Sequence, residues 1–287
     1  MNENVSPPEP RNADGQPCTG RTGVLKSQPV MLFVLTAALA IVTANVWILA
    51  RLIERQTGLT REHSFWVLCQ PGHSTVERLS AFQNLVAEGN REWRSAKLSE
   101  LDLARTSLPG ADLQQAGFQR ANLSRANLAA AKMSKTSLNL ADLTEADLAE
   151  ADLSEAQCYR AILKGTKLRR AVLRAAMLQE VKAENADLTV ADLSDADCLM
   201  ANFTGANLSG ANLTGTRLEG AVMKGVNFSL ARLDGANLKD ADFTDSNWWH
   251  ARGLTTAQTE LLRKNFAPSE AAPAALKADY QKWAGAK

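Results

Sequence analysis

From Ala96 to His250 the chain repeats itself every five residues, without an insertion or a deletion. Units such as ADLQQ, ANLSR, ADLTE, ADLSE, ANFTG and ANLTG follow one another. With the third residue of each unit taken as central, the 31 positions from Leu98 to Trp248 hold 21 Leu, four Phe, two Met and two Cys, besides Ala183 and Trp248. Two residues earlier, 23 of the 31 positions are Ala. Neither common element keeps such a pattern on one face. An α-helix turns roughly 500° in five residues and would smear the Leu around its surface, and a strand alternates with period two. The chain must turn through about a right angle at every unit, with the small and the large apolar residue both inside.

This pattern resembles that of the pentapeptide-repeat family, A(D/N)LXX, over about 155 residues. The resemblance implies an all-β solenoid, a right-handed quadrilateral β-helix of about 31 pentapeptides with four units to each square coil. In such a coil, positions twenty apart stack about 4.8 Å from each other. Leu113, Phe118, Leu143, Leu153, Cys158, Ala183, Cys198, Phe203, Phe228 and Trp248 are then core residues. Phe203 and Val181 replace the volume that Ala183 lacks. Trp248, twenty after Phe228, is expected to plug the last coil. Cys158 and Cys198 stand two coils apart, beyond disulfide reach, and read as small buried hydrophobes.

A second feature concerns the membrane. Residues Val30 to Ala50 are 21 consecutive uncharged positions, long enough as a helix to span roughly 30 Å of hydrocarbon. Trp47 stands at an interfacial depth, with Arg51 and Arg55 behind it. An uncleaved transmembrane helix over 30–53 is expected, making this a single-pass membrane protein that meets the lipid bilayer through residues 30–50. Flanking cations tie three against three. Cys69 lacks an obvious disulfide partner, and this leans the repeat towards a reducing cytoplasm.

The remaining boundaries follow. Residues 1–29, rich in Pro, read as a disordered tail, and 54–95 as a linker with an N-terminal capping helix. Ser74 and Glu77 form a capping box before a stripe of Val76, Leu79, Phe82, Val86 and Trp93, ending near Gly89. The repeat occupies 96–250, and 251–287 hold a C-terminal capping helix (256–265) and a tail. There Leu276, Tyr280 and Trp283 share a face of a second short helix. By resemblance, the C-terminal region could support a homodimer. An exposed solenoid end would otherwise recruit other chains, so flanking capping helices are expected at both ends.

Charges sort by coil. Residues 116–135 carry a net +4, 136–155 a net −6, 156–175 a net +6 and 176–195 a net −4. Opposite belts stack, which suggests internal ladders. The sharper alternative is a partner surface made of Arg160, Lys164, Lys167, Arg169, Arg170 and Arg174. Some soluble relatives mimic DNA and modulate type II topoisomerases. Such a mimic needs an acidic stripe along the rod, whereas this repeat alternates in sign with 17 basic and 20 acidic residues over 96–250. Nucleic acid is likewise disfavoured as a partner by the overall balance of 32 Lys and Arg against 31 Asp and Glu. The late glycines Gly205, Gly210, Gly215, Gly220, Gly225 and Gly235 suggest a different turn type beside a weakly charged wall.

No catalytic motif, cofactor loop or metal site emerges. Cys69 and His73 make half of a metal site, and the many second-position Asp read as solvated corners. The sequence therefore points to a membrane-anchored, non-enzymatic scaffold for an unknown protein partner, with the topoisomerase modulator as the alternative.

Overall fold

The computed structural model describes residues 61–70 and 72–286 in two units, which divide after Asn90. The tail 1–29 and the apolar stretch 30–50 lie outside the described residues. Among the described residues no helix is long and apolar enough to cross a membrane.

In the first unit, α1 (Arg61–Cys69) packs on α2 (Thr75–Ala87). Ser74 caps α2 reciprocally: its hydroxyl accepts from the Glu77 N–H, and Glu77 accepts from the Ser74 N–H at 2.8 Å. At the other end Gly89 (φ 73°) donates to Val86 at 2.9 Å and Asn90 to Leu85 at 2.9 Å, a Schellman closure. The buried face is Ala81, Phe82 and Leu85, whereas Val76, expected in the stripe, is 77% exposed. Cys69 is buried at 5% exposure.

The second unit is the coil. Parallel bridges join residues twenty apart from Glu92–Asp112 to Val222–Asp242, and again at Arg232–Arg252. The coil starts one unit earlier than the Ala pattern suggests. Trp93, fully buried, takes the central position of the unit 91–95, where Arg91 stands in place of Ala. The solenoid is all-β in its pairing but contains no extended strands among the described residues. Its sides are too short for them, because two of every five residues turn the corner and only the second forms a bridge.

One hydrogen-bonding scheme recurs. The second residue donates downward and the third upward, as Gly117 to Ala96 (2.9 Å) and Leu98 to Gly117 (2.7 Å). The fifth donates to a fourth-position carbonyl of the coil above, as Ser95 to Gln114 at 2.9 Å. The first closes the corner onto the third residue before it, as Ala121 to Phe118 at 2.9 Å. Every fifth residue is left-handed, from Glu100 (φ 64°) to Asp245 (φ 55°), and the glycines match them, Gly205 at 69° and Gly225 at 62°. The late glycines therefore mark no separate turn type. All corners share the positive φ of a type II turn at its third residue, held there by the inter-coil bond.

Inside, first and third positions are buried along the coil except at the first positions Arg91, which is exposed, and Thr106, which is half-buried. Each fully buried Leu contributes about 2 kcal/mol, spread along the axis. The polar intruders Thr136, Thr166, Thr216 and Ser246 are buried but satisfied, their hydroxyls donating to carbonyls at 2.7 to 2.9 Å.

The register is interrupted at Asn247 and resumes only at Arg252. The Asn247 side-chain oxygen, rather than its backbone carbonyl, accepts from the Phe228 N–H, and a 3-10 turn, Trp248–His250, follows. Trp248 is fully buried, and the Phe228 ring meets Phe243 at 5.5 Å. Trp248 packs against Trp283 (5.2 Å) of helix α4 (Ala274–Gly285) and donates to the Phe266 carbonyl at 2.9 Å. Gly253 (φ 80°) carries the chain out of the coil. A Cβ there would lie 2.6 Å from the Asp234 backbone nitrogen. Helix α3 (Thr256–Asn265) begins with a Thr255–Gln258 capping box.

Candidate interaction surface

Second, fourth and fifth residues of each unit face outward. The second-position Asp and Asn are structural as well as solvated. The Asp142 Oδ1 accepts the Thr144 N–H at 2.8 Å and its hydroxyl at 2.6 Å, and Asn212 does the same for Thr214. This satisfies the one N–H per unit that the backbone scheme leaves over, and it explains why Ser or Thr so often follows two places later.

Opposite charges meet between coils. Arg160 reaches Glu180 at 2.7 Å, Lys167 reaches Asp147 at 3.7 Å, Arg170 reaches Glu150 at 3.4 Å and Arg169 reaches Asp187 at 3.9 Å. Arg125–Glu145 (2.8 Å), Lys135–Glu155 (3.6 Å) and Lys239–Glu219 (3.1 Å) continue the pattern. The hydrogen bond from Arg160 holds the Glu180 carboxyl below its ordinary value. Of the six basic-belt residues, four are thus engaged with acids of the neighbouring coils, while Lys164 and Arg174 form no ion pair with the described residues and lie exposed on two other sides.

The proposed core residues all point inward: Leu113, Phe118, Leu143, Ala183, Cys198, Phe228 and Trp248 are fully buried, and Leu153, Cys158 and Phe203 nearly so. Burial pushes the Cys158 thiol up to about 12 and raises Cys198 likewise, so neither is a reactive thiolate. Both are free thiols.

One feature of the outer surface went unread in the sequence. The side built from units 136–140, 156–160, 176–180 and 196–200 exposes Leu140 (44%), Tyr159 (38%), Met177 (48%) and Met200 (62%) around the Arg160–Glu180 pair. Arg160 lies 5.0 Å over the Tyr159 ring, and the Tyr159 hydroxyl donates to Glu180 at 3.1 Å. The signal was present in the sequence: apolar residues at outward positions of four units spaced twenty apart.

At the C-terminal end, Tyr280 and Trp283 of α4 lie against Trp249 (5.0 Å) and Trp248 (5.2 Å). Asp279 accepts from the Trp249 indole at 2.9 Å and contacts His250 at 2.6 Å. No group of three potential metal ligands occurs among the described residues.

The model of the pentapeptide repeats matches residues 94–247 in eight copies, more than half of the 287-residue sequence. The chain belongs to the pentapeptide-repeat family. Members fold as right-handed quadrilateral β-helices, the architecture whose twenty-residue register is kept here. No curated protein matches the chain in sequence. Among solved structures it is similar to QnrB1, a plasmid-mediated fluoroquinolone resistance protein. That match has 17% identity and a TM-score of 0.37, and covers 60% of this chain and 96% of the other. HetL, a pentapeptide repeat protein involved in heterocyst differentiation regulation from the cyanobacterium Nostoc, is 28% identical with a TM-score of 0.22, covering 60% and 94%. A pentapeptide repeat protein of the Arabidopsis thaliana thylakoid lumen is 22% identical with a TM-score of 0.21, covering 64% and 88%.

Proposed function

We propose that this pentapeptide-repeat protein is a membrane-anchored, non-enzymatic scaffold that presents its coil to a protein partner. The observation that carries the reading is the division of labour within each unit. Apart from Arg91 and Thr106, first and third positions are buried, while second, fourth and fifth positions carry widely varied residues on the same backbone. A surface of that kind serves to display side chains at fixed spacing.

The side bearing Leu140, Tyr159, Met177 and Met200 is the partner-facing one in this reading. Exposed apolar side chains around a charged pair suit a protein interface better than open solvent. Anchoring rests on the 21 uncharged residues Val30 to Ala50. Against the topoisomerase-modulating alternative stands the pairing of acids with bases from coil to coil, which breaks any acidic stripe along the axis. A homodimer through the C-terminal region would have to use surfaces other than Tyr280 and Trp283, since these cover the chain's own tryptophans.

The test is proximity labelling in cells with Met177→Ser and Met200→Ser together. The expected result is loss of the labelled partner with an unchanged melting temperature. Labelling that is unchanged, or that follows the apolar anchor alone when it is fused to another protein, contradicts the reading.

A further inference from the structure

Helix α1 turns a serine inward and a tryptophan outward. Ser64, Val67 and Leu68, spaced three and four apart, are buried on the side that packs on α2. His63 and Trp66 lie on the outer side, and Trp66 is 42% exposed. Its ring centroid stands 5.6 Å from that of His63 and 4.9 Å from that of His73, which precedes the α2 cap. Val76, exposed in the first turn of α2, follows three residues after His73. The Trp66 indole N–H meets no acceptor among the described residues. Glu77, the acid beside His73 at 3.7 Å, is already engaged with the Ser74 N–H at 2.8 Å.

A helix pair surrounded by water alone would favour the converse arrangement. An indole is among the largest apolar groups, whereas a serine can be buried only with its hydroxyl satisfied. An outward tryptophan with a spare N–H, set between two imidazoles, is apolar across its ring and polar at its rim. Such groups collect where hydrocarbon gives way to headgroups. The sequence supplies that boundary nearby. Ten residues, 51–60, join Ala50, the last of the 21 uncharged positions, to Arg61 at the start of α1. Ten residues reach at most about 36 Å. A tether of that length keeps the patch at an effective concentration in roughly the millimolar range, so a small contact area suffices.

We propose that the patch of His63, Trp66, His73 and Val76 docks on the surface of the lipid bilayer. The Trp66 indole sits at the depth of the lipid carbonyls and donates its N–H to a carbonyl or phosphate oxygen. The two imidazoles face the headgroups beside it, and Val76 reaches towards the acyl chains. The α1–α2 unit is thereby a second, peripheral membrane contact. This rests on the membrane-anchored reading and adds to it a surface that the anchor alone does not require.

The test uses the full chain with Cys18→Ser and Val76→Cys, carrying a nitroxide at residue 76, in vesicles of phosphatidylcholine and phosphatidylglycerol. The reference is the same chain labelled at Asp195→Cys, an exposed corner of the coil. Flotation first shows whether the chain is anchored. Collision of the label with oxygen and with a water-soluble nickel chelate then shows what surrounds it. At residue 76 nickel collisions should fall at least about fivefold below the reference while oxygen collisions rise, as they do where hydrocarbon replaces water. Trp66→Ser should return both towards the reference in a chain that still floats. A chain that floats with residue 76 as accessible to nickel as residue 195 overturns the docking and leaves the anchor standing. Oxygen and nickel collisions that fall together also overturn it, because protein then covers the patch. Shielding that survives Trp66→Ser removes the indole from the contact and overturns it likewise. A chain that does not float at all overturns the anchor and the docking with it.

Discussion

At the scale of single residues, each position of the unit has one task, and substitutions separate the tasks. Asp142→Asn keeps the oxygen that accepts both Thr144 groups and should be nearly neutral. Asp142→Ala leaves a part-buried N–H without its partner and should cost about 1 to 2 kcal/mol in chemical denaturation. Equal midpoints for the two variants would refute the capping role. Gly253 and Gly225 make a second contrast. Gly225 has open space where a Cβ would go, and its φ of 62° is one that Glu100 and Arg125 also hold, so Gly225→Ala should cost about 1 kcal/mol or less. Gly253→Ala drives a methyl against the Asp234 backbone and should cost more, about 2 to 3 kcal/mol. The inward pattern was legible because a five-residue period has few physical solutions. The acceptor role of Asp and Asn was not, since it depends on how the backbone folds back between the second and fourth residues. The clustered glycines misled for a related reason: the inter-coil bonds impose the left-handed corner on every residue type, so composition does not report turn type.

At the scale of elements, the C-terminal end is held by the Asp279 carboxylate and the Trp248–Trp283 contact rather than by repeat grammar. Burial would raise the Asp279 carboxyl, but hydrogen bonds from His250 and Trp249 prevail and hold it below its ordinary value of 3.8. A depressed folded value means that this contribution is complete above the ordinary carboxylate value and is lost as pH falls through the depressed one. The tryptophan emission of the native chain should therefore shift to the red below about pH 4. Asp279→Asn should remove that acid-dependent step while leaving the coil's circular dichroism intact. A step that persists in the variant would assign it to other carboxylates. The bounds of α3 could be read from its Thr255–Gln258 box, and the aromatic face of α4 from its spacing. What that face meets could not, because the contact joins residues some thirty positions apart. The first coil unit was missed because Arg91 replaces the diagnostic Ala and Trp93 the diagnostic Leu.

At the scale of the whole repeat, charge belts and coil register are one phenomenon. Reversing Arg160, Lys164, Lys167, Arg169, Arg170 and Arg174 to Glu sets acids against Asp147, Glu150, Glu180 and Asp187. The melting temperature should then fall by several degrees in low salt, and most of the loss should vanish at 1 M salt, where the Debye length is about 3 Å. An unchanged low-salt value would mean that the ladders contribute nothing to register. The belts could be seen in the sequence once the period was counted. The apolar side around Tyr159 could not be picked out until the four sides were laid beside one another. Cys69 is buried, so a topology experiment by thiol labelling needs an introduced cysteine on an outward position. The central claim, that twenty residues advance the chain by a single rung, can be measured outright. Spin labels at Gln115 and Asp195, and at Gln115 and Gly215, share one corner of the coil, four and five turns apart. Cys18→Ser removes the one native cysteine not described as buried, and Cys69, Cys158 and Cys198 are shielded from the label. Electron-spin distances of about 19 and 24 Å, hence about 5 Å for the added twenty residues, are the predicted result. An increment several times larger, as a helix or an extended chain would give, would contradict the square coil and everything built on it.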